Sequence, residues 1–213
     1  NVIRLQLDRA PLPDLDLDDY AAIILGGGPG CVSDAPADKT PEEARAEAAC
    51  LTLLPEITER DLPFLGCCYG IGVLAHHLGA PVSKDQFGEA VSAVTCTKTD
   101  AGRTDPVLAP LPDAFDAFVG HKEAVQQLPE HTAHLLAGDG CPFQMIRHKS
   151  NVYATQFHPE ADAAGFETRI RIYRNKGYFA PEDADRLITM CHAASVDHAP
   201  DILRSFVDRY RQH

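Results

Sequence analysis

The sequence predicts an α/β fold: an open, mostly parallel sheet flanked by helices. Three observations carry this reading. Two short, nearly continuous apolar runs, residues 20–25 and 62–65, suit strands buried on both faces of a parallel sheet. Each run ends in a glycine-rich turn, Gly26-Gly27-Gly28-Pro29-Gly30 and Gly66-Cys67-Cys68-Tyr69-Gly70. Helix signals follow both turns, as a strand–helix alternation requires. In sheets of this kind ligands bind beyond the carboxyl ends of the strands, so the two turns are expected to share one site.

Taken in order, residues 2–7 (Val-Ile-Arg-Leu-Gln-Leu) alternate over most of their length and predict a strand. Residues 10–19 form a Pro/Asp-rich connection before the first apolar run. Thr40-Pro41-Glu42-Glu43 opens a helix with two start signals, a Thr-x-x-Glu capping box and proline at the first helical position. Ala44, Ala48 and Leu51 then share one helical face. Residues 73–78 read as a helix leaving the second turn. Residues 89–97 are rich in β-branched side chains and predict a strand in a hairpin or antiparallel edge. Residues 115–120 run into Gly120-His121. Residues 143–147 and 152–157 predict two late strands around a turn at 148–151, the second ending in His158-Pro159-Glu160. The remainder reads as helical. Ala184, Leu187, Ile188 and Cys191 share a face, as do Ile202, Leu203, Phe206, Val207 and Tyr210.

Composition narrows the function. The 213 residues are 45% hydrophobic, enough for a sizeable core. Net charge is 19 − 31 = −12, which argues against nucleic acid or an anionic membrane as the main partner. Seven cysteines without CxxC spacing fit neither a disulfide framework nor a zinc site. They suit a reducing, cytoplasmic setting. No apolar run approaches ~18 residues, and no secretory signal is apparent. Gly26–Gly30 lacks the Lys-Ser/Thr of a phosphate loop, and His76-His77 is too closely spaced for two ligands on one helix face. Neither a cofactor nor a metal is expected.

The turn around Cys68 carries the chemistry. Gly66-x-Cys68-x-Gly70 is the sulfur form of the nucleophile elbow. A nucleophile at a sharp strand-to-helix turn has a strained backbone whose close neighbours must be glycine. Its thiol lies at a helix N-terminus, where the dipole and free amides favour thiolate. The glycines are symmetric about Cys68 and not about Cys67, which places Cys67 on the packed side. Taken alone, the pattern fits a buried cysteine pair equally well.

Together with Gly27-Gly28-Pro29, Gln86-Phe87-Gly88, Gly120-His121 and Gln156-Phe157-His158-Pro159-Glu160, the elbow resembles the class I, triad-type glutamine amidotransferases. The pieces occur in that family's order and cover most of residues 1–160. The likeness is greatest to freestanding members similar to the amidotransferase part of GMP synthase. It implies a flavodoxin-like α/β domain at 1–165, with a helical C-terminal extension at 166–213 packed on it. It also implies a strand and helix ahead of residues 2–7. The implied nucleophile is Cys68, attacking the side-chain carboxamide of glutamine. The implied base is His158 and its orienting carboxylate Glu160, both at the end of one strand. The implied oxyanion donors are the amides of Gly28 and Tyr69. Backbone around Gln86, Phe87, Gly120 and His121 is implied to hold the glutamine α-amino and α-carboxylate groups. Gln86 stands where many relatives carry Glu, so a charged contact is not implied there.

The motifs leave the substrate open. Glutamine, with ammonia passed to a synthetase or other acceptor-activating subunit, is one reading. A γ-glutamyl peptide or γ-glutamyl amine hydrolase would use the same triad. A non-catalytic partner or regulatory module on this fold is the third reading, although all three triad positions are filled.

Overall fold

A computed structural model describes residues 2–175 and 178–211. Fifteen elements follow in chain order: β1 Ile23–Leu25, α1 Pro41–Arg60, β2 Phe64–Cys67, α2 Tyr69–His77, β3 Val82–Ser83, β4 Glu89–Lys98, α3 Asp100–Arg103, β5 Ala114–His121, β6 Ala124–Val125, β7 Thr132–Ala137, β8 Met145–His148, β9 Val152–Thr155, α4 Ala163–Tyr173, α5 Ala184–Ala193 and α6 Ala199–Tyr210. Seven strands form one sheet in the order β1-β2-β9-β8-β7-β4-β5, and β3 and β6 make a small separate pair. The large sheet is mixed. Its parallel part is β1-β2-β9, and the other pairings are antiparallel. That parallel part carries both glycine-rich turns at its carboxyl end.

Period-2 alternation divides the core. On β2, Phe64 faces the layer holding Leu54, Ile57, Ile71 and Leu74 of α1 and α2. Leu65 and Cys67 face the opposite layer, with Phe115, Phe157 and, from α6, Ile202 and Phe206. A third cluster joins Phe118 of β5 to Phe166 and Ile170 of α4 and to Leu187 and Cys191 of α5. The late helices thus cover two regions of the sheet.

Local signals explain the boundaries. Thr40 Oγ1 accepts the Glu43 amide at 3.3 Å while Glu43 Oε2 accepts the Thr40 amide at 2.9 Å, the reciprocal capping box predicted from sequence. Asp61, left-handed at φ 54°, ends α1. Its carboxylate accepts the Ser150 and Asn151 amides at the β8–β9 turn. That tie sets the β8–β9 hairpin against the strand that follows α1.

Three expectations are corrected. Residues 2–7 form no strand: among the described residues no strand offers them a ladder, and Val2 and Ile3 stay 93% and 64% exposed. β1 is shorter than predicted and lies at the sheet edge, so Ile24 is 48% exposed rather than buried on both faces. On α1 the buried face is Ala49, Cys50, Leu54 and Ile57, and Ala44 and Ala48 face solvent. Alanine burial contributes too little apolar area to orient a helix when leucine and isoleucine compete.

Candidate active site

β2 delivers Cys68 to the turn. The residue caps α2 with φ 52° and ψ −94°, a strained conformation for a side chain bearing Cβ. Its amide donates to Thr155 O at 2.8 Å, fixing the turn to the end of β9. A Cβ on Gly66 would come within 2.9 Å of the Gly70 carbonyl carbon, and one on Gly70 within 3.3 Å of Leu25 O. Glycine at 66 is therefore a steric requirement of the turn, and at 70 it relieves a tight approach to β1. Cys67 sits on the other face of β2, 1% exposed, and burial pushes its thiol pKa up.

β9 ends at Thr155, and His158 and Glu160 lie in the turn beyond it. This corrects the expectation that both stand on the strand itself. The turn brings them together all the same: His158 Nδ1 and Glu160 Oε1 are 2.8 Å apart. The His158 amide donates to Phe118 O at 3.0 Å, anchoring the turn to β5. The ring is buried beside Cys68, with Gly27 between the edges of both side chains. A Cβ on Gly27 would lie 2.7 Å from His158 Cε1 and 3.4 Å from Cys68 Cβ.

Electrostatics match that geometry. Burial alone would lower the His158 pKa, but the neighbouring Cys68 and the hydrogen-bonded Glu160 outweigh it and raise it from 6.5 to about 9. For Glu160 burial acts upward, and His158 and Arg169 hold its carboxyl below the usual range. The pair thus favours an imidazolium–carboxylate arrangement next to the thiol.

Cys68 and His158 open onto a pocket that is also lined by Gly28, Tyr69, Gly120 and His121. Among the described residues, no backbone hydrogen bond is made by the amide of Gly28 or Tyr69. Tyr69 is the first residue of α2, where an amide has no partner within the helix. Gly120 and His121 line the cavity. The His121 ring turns inward, its Nε2 2.9 Å from Glu89 Oε2 and its Nδ1 2.9 Å from Glu123 O. Gln86 and Phe87 do not reach the cavity. Gly88 lines a shallower recess that adjoins it at Gly120–Lys122.

Several contributors were not read from the sequence. Glu123 accepts the Val32 and Ser33 amides at 2.9 Å each and the Ser33 hydroxyl at 2.7 Å. It thereby shapes the chain after the glycine loop. Its nearness to Gly120-His121 was the available signal. Arg169 Nη2 donates to Glu160 Oε1 at 2.6 Å, and its Nη1 lies 3.4 Å from His158 Nε2. Phe166, Ile170, Tyr173, Tyr178 and Phe179 form an apolar wall, and Tyr178 donates to Pro29 O at 2.9 Å. No local pattern marks these residues. The metal-compatible group among the described residues is Glu89, His121 and Cys141, with donor atoms within 4.8 Å. There Glu89 Oε2 already accepts from His121 and from Gln144 Nε2 at 2.7 Å, so hydrogen bonds account for it.

Comparisons with known proteins address the family and the fold. The family model described as "Glutamine amidotransferase class-I" matches residues 2–174. A glutamine-hydrolyzing GMP synthase of Thermosipho africanus is 34% identical over 154 residues, 70% of this chain and 26% of that protein. One from Pelodictyon phaeoclathratiforme is 36% identical over 149 residues, 65% of this chain and 25% of that protein. This chain thus spans about a quarter of the length of these curated relatives. A glutamine amidotransferase structure from Thermotoga maritima superposes with TM-score 0.75 at 22% identity, covering 93% of this chain and 81% of that one. Another from Methylobacillus flagellatus gives 0.70 at 18% identity, covering 95% and 82%. The strained cysteine turn, the histidine–carboxylate pair and these matches have one common account: the chain belongs to the class I glutamine amidotransferase family, a family of enzymes.

Proposed function

We propose that this chain hydrolyses the side-chain amide of glutamine through a glutamyl thioester on Cys68. The observation that carries the reading is the His158–Glu160 pair at 2.8 Å, set against a cysteine in a strained strand-to-helix turn. Cys68 Sγ, as thiolate, attacks the carboxamide carbon and the carbonyl oxygen becomes an oxyanion. The free amides of Gly28 and Tyr69 receive that charge; losing one such donor typically costs about 3–4 kcal/mol of transition-state stabilisation. The intermediate collapses with cleavage of the C–N bond, and His158 gives its proton to the departing ammonia. Water then attacks the thioester, His158 takes its proton, and glutamate leaves with the thiol restored. Glu160 orients the ring and offsets its charge throughout.

Gly120 and His121 hold the α-amino and α-carboxylate groups through backbone; Gln86 and Phe87, named with them from the resemblance, stand outside the pocket and are not given that role here. The division into a catalytic domain at 1–165 and an extension at 166–213 is part of this proposal, although α4 runs across the boundary; Phe166, Tyr173 and Tyr178 of the second part line the pocket. The ammonia passes to a synthetase or other acceptor-activating partner; the resemblance to part of glutamine-hydrolyzing GMP synthases supports this. A cytoplasmic setting accords with the seven free, buried cysteines. One feature favours a second substrate class. The apolar wall of Phe166, Tyr173, Tyr178 and Phe179 beside Cys68 suits a γ-glutamyl amide whose amine carries an apolar group.

The test is release of glutamate and ammonia from glutamine and from a panel of γ-glutamyl dipeptides and amines, with and without an added synthetase. Cys68→Ala is expected to abolish glutamate release while Cys67→Ala largely keeps it. Full activity in Cys68→Ala would overturn the mechanism.

A further inference from the structure

We propose that Arg169 is a positioning residue of the Cys68–His158–Glu160 triad, clamping Glu160 and bordering His158 so that the imidazole keeps one orientation toward Cys68. The inference rests on the triad reading above and adds a fourth member to it.

The geometry is specific. One carboxylate oxygen, Glu160 Oε1, accepts from both His158 Nδ1 at 2.8 Å and Arg169 Nη2 at 2.6 Å. The other arm of the same guanidinium, Nη1, stands 3.4 Å from His158 Nε2. Arg169 therefore spans the pair, touching the carboxylate and the ring nitrogen that the carboxylate leaves free. A planar, always-charged fork can do this, and an ammonium cannot reach both points at once.

Arg169 is also held firmly. α4 is capped by Asp162, whose Oδ1 accepts the Gly165 amide at 2.7 Å. Phe166 and Ile170 sit at i−3 and i+1 from Arg169 and are 3% and 1% exposed. Phe166 stacks on Phe118 with ring centroids 4.8 Å apart. The carbonyl of that same Phe118 takes the His158 amide. The arginine and the histidine are thus referenced to one point on β5.

Stability is a poor account of this contact. The Arg169 and Glu160 side chains are 32% and 31% exposed, and ion pairs that open to solvent contribute little to folding. What the clamp can do is electrostatic and orientational. The titratable or charged groups facing the His158 ring are Cys68 from the α2 turn, Glu160 from its own turn and Arg169 from α4. Cys68 and Glu160 favour the imidazolium. Arg169 is the like charge that opposes it, which keeps the ring able to release its proton to ammonia.

The test is steady-state glutaminase kinetics across pH for Arg169→Gln and Arg169→Lys, with thermal unfolding and labelling of Cys68 by a glutamine-like electrophile. Arg169→Gln should lower kcat roughly 10- to 100-fold, the scale of a misplaced catalytic group, with KM changed less than about threefold. Its alkaline limb should move to higher pH. Arg169→Lys, which keeps the charge, should leave the limb in place and recover part of kcat. Both should unfold at the wild-type temperature. Wild-type kcat in Arg169→Gln, a loss confined to KM, or an unshifted limb would overturn the proposal. Cys68 labelling in wild-type protein separates this failure from failure of the triad reading. Should Arg169→Gln not fold, the kcat and limb of Arg169→Lys decide the question.

Discussion

Gly27→Ala places a single methyl group between the Cys68 and His158 side chains. The new Cβ would lie 2.7 Å from His158 Cε1 and 3.4 Å from both His158 Nδ1 and Cys68 Cβ. Ordinary contact begins near 3.4 Å, so the ring must retreat by about 0.7 Å (3.4 − 2.7). His158 is 4% exposed and bonded to Glu160 at 2.8 Å, which leaves it little room to move without stretching that bond. A 1 Å misplacement lowers rates by about 100-fold. A loss of roughly 10- to 50-fold in kcat is therefore expected, about 1.4–2.3 kcal/mol. Overpacking also destabilises the fold by about 1–3 kcal/mol. Gly26 is the internal control, because a Cβ there meets nothing within 4 Å. The assay is glutamate release under saturating glutamine, with unfolding measured in parallel. If Gly27→Ala matched Gly26→Ala within about twofold, the placement of His158 against Cys68 would be refuted.

Further predictions concern protons, the turn and the caps. His158 holds its proton up to about pH 9, so kcat/KM should fall as pH rises through that value, where the donor for ammonia is lost. Cys68→Ala removes the largest influence raising that pKa, so an NMR titration of the His158 ring should show it moving down. Gly66→Ala should abolish activity, since its Cβ meets the Gly70 backbone at 2.9 Å; activity near wild type would contradict the elbow geometry. Thr40→Ala removes the α1 cap and should lower stability by about 1 kcal/mol by denaturant unfolding, with little effect on kcat.

The parts legible in the sequence were those written in local sterics. Gly66 and Gly70 announce a turn too tight for side chains, and the capping box at Thr40 needs only four residues. The meeting of Cys68, His158 and Glu160 could be expected from the sequence because each lies in a short motif just beyond a strand. What stayed hidden comes from packing. Arg169 meets Glu160 across elements far apart in local pattern, from an α4 whose Phe166 stacks on Phe118. Residues 2–7 show why alternation alone misleads: a strand also needs a ladder partner, and among the described residues they pair with none. Ala44 and Ala48 mark a true helical face that lost the competition for the core to Leu54 and Ile57.

The most direct test of the proposed triad is to trap its proposed nucleophile. Incubate the protein with a glutamine analogue bearing an electrophilic ketone in place of the carboxamide, then locate the adduct by peptide mass spectrometry. The account predicts one stoichiometric adduct on Cys68, protected by glutamine and absent in Cys68→Ala. An adduct on Cys67, or unchanged glutaminase activity after complete labelling of Cys68, would contradict it.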